Sequence, residues 1–109
     1  MAVDDPGAID IMSESKTGSI ILTISDHLDW RDSISHQITL QNKLNRYLAF
    51  VESAEILEHR PDAAAKNVVF RIVGKYEPDT SGLAFLQRAR SVIEQAGFQF
   101  QYEFFGHRA

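Results

Sequence analysis

Residues 67–76 read NVVFRIVGKY, a run of β-branched and aromatic side chains that predicts the strongest strand in the chain. Alternation places Val68, Phe70, Ile72 and Tyr76 towards a core, and Arg71 and Lys75 away from it with Val69 and Val73. The residues C-terminal to this strand decide the fold class. EPDTSG (77–82) is a turn that offers Asp79, Thr80 and Ser81 as helix N-caps. LAFLQRARSVIEQAG (83–97) sets Phe85, Ala89, Val92, Ile93 and Ala96 along one helical stripe. Gly97 stands where a left-handed residue ends a helix, and Phe98 beyond it is placed to pack back on Ile93. FQFQYEFF (98–105) then alternates again, with Phe98, Phe100, Tyr102 and Phe104 on the core face and Gln99, Gln101, Glu103 and Phe105 on the other. With its two strands running the same way, this unit is a right-handed parallel crossover.

Working outward towards the N-terminus, AIDIMSE (8–14) reads as a strand with Ile9 and Ile11 on one face and Asp10 and Met12 on the other. SKTGS (15–19) is a hairpin turn in which Gly18 can take positive φ. SIILTIS (19–25) is a second strand, with Ile20, Leu22 and Ile24 together on one face. From Ser33 the period becomes helical: Leu40, Leu44, Tyr47, Leu48 and Val51 share a side, with Gln41, Lys43, Asn45 and Arg46 towards the other. Carried through Ile56 and Leu57, one helix would span roughly 37 Å, too long for the strands it must cover. A break is therefore expected near Ser53–Ala54, with EILEHRP (55–61) as a separate short element closed by Pro61. The order is β-β-α-(short element)-β-α-β. It predicts an α+β two-layer sandwich, a small mixed sheet with two main helices on one face. Residues 1–109 form a single domain, with 1–7 expected as a flexible tail.

Composition narrows the function classes. Apolar residues are 44% and charged residues 24% of 109, ordinary for a globular chain, and no apolar run approaches the roughly 20 residues that cross a bilayer. With no cysteine there is no disulfide framework, thiolate nucleophile or cysteine zinc site. The acidic start MAVDDPGAID lacks the order of a secretory signal. A cytoplasmic protein is expected, with no membrane partner. The net charge of −4 weighs against nucleic acid, whose binding rests on neutralising phosphates. The acidity is concentrated before Gln41, where seven acids face only Lys16 and Arg31, so a basic partner suits that surface best.

SDHLDW (25–30) is the stretch with chemical promise. Asp26, His27 and Asp29 are metal-ligand and acid–base residue types. Strand parity separates them: Asp26 continues the core side of Ile20, Leu22 and Ile24, and His27 points the opposite way. The acids also have local work, because Asp29, Asp32 and Ser33 compete to cap the next helix. His36, in that helix's first turn, shares a face with Lys43 and is expected to meet water. A helix N-terminus disfavours its protonation, leaving it able to act as a fourth ligand. His59 and His107 read as solvated. No Gly-x-Ser-x-Gly elbow or phosphate-binding glycine pattern occurs. RPDAAAK (60–66) and QRAR (87–90) are too short for a nucleic-acid surface. Trp30 in its acidic turn and Phe105 on a polar strand face stand out as aromatics that a partner could cover.

LTISDHLDW (22–30), LQNKLNRYLAFVESAEI (40–56) and GLAFLQRARSVIEQAGF (82–98) together resemble a family of small bacterial cytosolic proteins known only as a domain of unknown function. The resemblance runs from VDDPGAIDIM (3–12) to FQFQYEFF. Family members carry Ser-Gly-x-Ile where this chain has Ser53-Ala54-Glu55-Ile56. A glycine there suits a helix C-terminus, and Ala54 departs from it. The resemblance implies the fold and brings no activity or cofactor with it. The expected function is a non-catalytic protein-binding module that uses an acidic edge of Asp26, His27, Asp29 and Trp30, together with Phe105, and self-associates through a strand edge. The alternative is a metal-binding protein or metal-assisted hydrolase using Asp26, His27, Asp29 and His36. Single-stranded nucleic acid on the face of Arg71 and Lys75 is the third reading.

Overall fold

The computed structural model describes residues 11–53 and 55–107; the expected tail at 1–7 and the placing of Ile9 and Asp10 on opposite faces of the first strand lie outside them. Strands β1 (Ile11–Glu14) and β2 (Ile20–Asp26) form the hairpin, with Gly18 at φ +89° in its turn. Helix α1 (Ser33–Glu52) comes next, then the short α2 (Glu55–His59) and a single 3-10 turn (Pro61–Ala65). Strand β3 (Val68–Tyr76), helix α3 (Thr80–Gln95) and strand β4 (Gln99–His107) complete the order. The strands lie side by side as β1-β2-β3-β4. β1 pairs antiparallel with β2, and β2–β3 and β3–β4 are both parallel. Two parallel connections each step one strand along the sheet, and both long helices pack on one common core. The molecule is the α+β sandwich that the element order implies.

The core lies between the sheet and the helices. Ile20, Leu22 and Ile24 of β2, Phe70 and Ile72 of β3, and Phe100 of β4 are buried against Leu40, Leu44, Tyr47 and Phe50 of α1 and Leu86 and Ile93 of α3. The Tyr47 hydroxyl donates to the Thr23 carbonyl at 2.9 Å, which satisfies its polar tip inside the core. α3 ends as its sequence implies: Gly97 has φ +95°, its N–H donates to the Glu94 carbonyl, and the Phe98 N–H donates to that of Ile93. These are the two bonds of a Schellman ending. α1 stops at Glu52, where the break was expected. Arg46 then braces α2 through two hydrogen bonds to Glu55, which hold the Glu55 carboxyl below the usual carboxylate range.

Three burial expectations are corrected. Val69, on the outward side of β3, is buried, flanked in register by Ile21 and Gln99 on the neighbouring strands. Lys43 is fully buried, its ammonium 5.7 Å from the centre of the Tyr47 ring. It stands seven residues, two turns, beyond His36, so both lie on the inward stripe of α1. On α3 the buried stripe is Gly82, Leu86 and Ile93, while Val92 is 57% exposed and Ala96 is exposed. The helix is rotated from its expected setting because Gly82 packs directly on Trp30.

Candidate functional site: a buried pair and an open groove

The turn from β2 into α1 is built on three aspartates that each take a backbone donor. Asp26 accepts from the Leu28 N–H at 3.2 Å, Asp29 from that of Arg31 at 3.1 Å, and Asp32 from that of Ser35 at 3.1 Å. Asp32 is the N-cap of α1, the role for which short acidic side chains are favoured. These bonds turn the chain sharply enough to bring the first turn of α1 back over the end of β2.

His36 arrives there. Its Nε2 lies 2.8 and 2.7 Å from the two carboxylate oxygens of Asp26, and its Nδ1 lies 2.8 Å from the Asp29 carbonyl. A carbonyl only accepts, so Nδ1 carries a proton and donates. Across the other contact, Asp26 and Nε2 share a proton. Both side chains are buried, at 1 and 2% exposure. Trp30 closes the assembly, stacked on the imidazole with ring centres 3.7 Å apart and planes 26° from parallel. It also packs on Gly82 at the start of α3, where an added Cβ would come within 2.6 Å of the indole. The Trp30 Nε1 is buried and has no hydrogen-bond partner among the described residues.

The expected site residues are thus divided. Asp26 and His36 meet, and Asp29 joins them through its backbone carbonyl while its carboxylate faces Arg31 at 3.7 Å. His27, the first residue beyond β2, is exposed, while Asp26 before it is buried. Trp30 is buried, correcting its expected exposure, because the turn folds it under α3. His36 is buried too, correcting its expected contact with water: the chain reverses tightly enough to cover it. Phe105 is 69% exposed but stands on β4, two strands away from β2. Those five residues therefore present no continuous surface. A shallow concavity of about 320 Å³ lies beside the turn, lined by His27, Asp29, Ser35, His36, Thr39 and Tyr76. His36 offers it no free ring nitrogen, so it has neither a general base nor a metal ligand to give there. Among the described residues, no group of three or more His, Asp or Glu side chains is placed to hold a metal ion.

A larger concavity lies elsewhere. Between α1 and α3 runs a groove of about 410 Å³, walled by Ile34, Ile38 and Leu48 on one side and Phe85, Arg88 and Val92 on the other. Ile34 is 71% exposed and Ile38 54%. One end is fastened by Gln37, whose amide donates to Ser81 at 2.8 Å and to Ser33 at 3.1 Å; Ser33 in turn donates to Asp79 at 2.9 Å. Sequence reasoning missed this face because its α1 stripe began at Leu40. Ile34 and Ile38, one turn apart and off that stripe, were the available signal.

No helix among the described residues is long and apolar enough to cross a membrane. Comparison with curated proteins and with solved structures finds no match. A family description does match, over residues 1–106, and the chain belongs to that family, a family of unknown function (DUF6572).

Proposed function

We propose that this protein is a non-catalytic binding module that holds an amphipathic helix of a partner protein in the groove between α1 and α3. The supporting observation is that Ile34, Ile38 and Val92 stand 71, 54 and 57% exposed around one concavity. Apolar side chains lining a groove between two helices suit helix-in-groove recognition, read by anchors at i, i+3 or i+4, and i+7. The span from Ile34 to Leu48 along α1 is about 21 Å, room for four turns of a bound helix. Arg88 is the charged side chain in the lining, which calls for a carboxylate on the partner. The binding class expected from the sequence is kept; the surface moves from the acidic turn to the helices, and the preferred partner charge changes sign.

Selection from a displayed library of helical peptides against the immobilised full chain tests this. The expected winners carry apolar residues at helical spacing with an Asp or Glu aligned to Arg88. Ile38→Glu and Arg88→Glu should each weaken them by about tenfold or more. Recovery of no such peptides, or of peptides indifferent to both substitutions, would overturn the reading. So would a groove found filled by a second copy of the chain.

A further inference from the structure

The two edges of the sheet are treated differently. At β1, Glu14 is tied to Arg60 and Lys66, so charged side chains crowd that edge. The hydrogen bond from Arg60, then the charge of Lys66, hold the Glu14 carboxyl below its usual range. Among the described residues β4 has one neighbour, β3, and its nine residues run Gln99–His107 without a proline, lysine or arginine. Its one acid, Glu103, is paired with Arg71 of β3. Bare, long edges are templates for another strand, and folded proteins guard them with charge, proline or brevity. β4 is neither short nor broken by proline, its Glu103 charge is met by Arg71, and its one register irregularity lies beyond Phe104, at the C-terminal end.

We propose that β4 pairs antiparallel with β4 of a second copy, joining two four-stranded sheets into one of eight. One register suits the strand to itself. With Tyr102 opposite Tyr102 of the partner subunit, Phe100 meets Phe104, Gln101 meets Glu103 and Gln99 meets Phe105. The helix-side aromatics, already in contact along β4 with ring centres 6.0 and 5.5 Å apart, then continue across the two-fold axis as cross-strand pairs. No like charges oppose each other. The next register, centred on Glu103, would set that acid against its own copy. Tyr102 and Phe104 are only half-buried in one chain, and although the Arg90 guanidinium lies 5.4 Å from the Tyr102 ring centre, part of each ring is left to be covered. The symmetry is closed, with the same patch used on both sides, and the exposed Phe105 gains a neighbour.

Sedimentation velocity over a wide concentration range tests the pairing on the full chain. The expected result is a monomer–dimer equilibrium whose position responds in opposite senses to two exposed substitutions. Gln101→Glu sets two like-charge pairs against Glu103 of the partner subunit and should shift the chain to monomer. Gln101→Lys sets two opposite-charge pairs and should hold or strengthen the dimer. Within one chain the signs reverse, because Gln101 lies beside Arg71 in register; thermal melting of the dilute monomer thus separates a folding effect from a pairing effect. A monomer at every concentration would overturn the proposal, as would a dimer that ignores both substitutions or that dissociates with Ile38→Glu.

Discussion

The turn from β2 into α1 and the groove between α1 and α3 use side chains in opposite ways. The turn gathers carboxylates, an imidazole and an indole, the groups chemistry is made from, and buries the central ones: Asp26, His36 and Trp30 are each at most 5% exposed. The groove is lined by isoleucine, leucine, phenylalanine and valine, the material of cores, and leaves several of them in water. A buried carboxyl–imidazole pair costs desolvation that its hydrogen bonds must offset, so it specifies geometry more than it adds stability. An exposed apolar stripe contributes nothing to the core it fails to join. Residue type therefore points the wrong way in both places, and burial decides which region is architecture and which is available to another molecule.

Breaking the turn should produce the largest effect. His36→Ala leaves the Asp26 carboxylate buried without its partner, and the expected loss is about 3–5 kcal/mol of unfolding free energy. That is a large share of the roughly 5–15 kcal/mol typical of a domain. Urea denaturation reads it directly, and Asp26→Ala should cost a similar amount. The double variant should lose less than the sum of the two, because it leaves no buried polar partner unpaired. Additive losses would mean that the contact is not the source of the effect. Gly82→Ala comes next. Its Cβ would meet the Trp30 ring at 2.6 and 2.8 Å and Pro78 at 2.9 Å, so the indole must shift off His36. Overpacking of this kind costs about 1–3 kcal/mol, and loss of near-ultraviolet ellipticity from Trp30 would accompany it.

Much of the architecture is legible in the sequence. The hairpin at Gly18, the helix break after Glu52 and the ending at Gly97 and Phe98 all depend on local backbone chemistry. A single sequence carries that information in its turn and cap residues. Parity likewise places Asp26 inward and His27 outward. Contacts between residues distant in sequence leave no such mark. The union of Asp26 with His36 requires the chain to reverse through Asp29, which parity arguments do not see. The burial of Trp30 depends on Gly82, more than fifty residues later. The rotation of α3, which turns Leu86 inward and Val92 outward, arises from that same contact, because helical stripes one residue apart differ little in sequence pattern. Asp32→Ala tests the local part by itself. It removes the cap that accepts from Ser35, and about 1 kcal/mol of stability should go with it, a loss that urea denaturation reads.

The groove should give the smallest effect on folding, and that is its signature. Ile38→Ser removes an apolar side chain that is already 54% in water. A buried isoleucine truncated to a small residue costs about 2–5 kcal/mol; here most of that side chain has no core contact to lose. Stability is therefore expected to stay within about 0.5 kcal/mol of the parent chain, as for surface substitutions away from special features. Serine is a somewhat better match to solvent and only a slightly poorer helix former, so these small terms oppose each other. Ile34→Ser, at 71% exposure, should behave alike. A destabilisation of about 2 kcal/mol or more, measured by urea denaturation at high dilution, would show that Ile38 serves the core after all and would erase the distinction between the two regions. A neutral result leaves an isoleucine that folding does not need, set where the two long helices leave room for a guest.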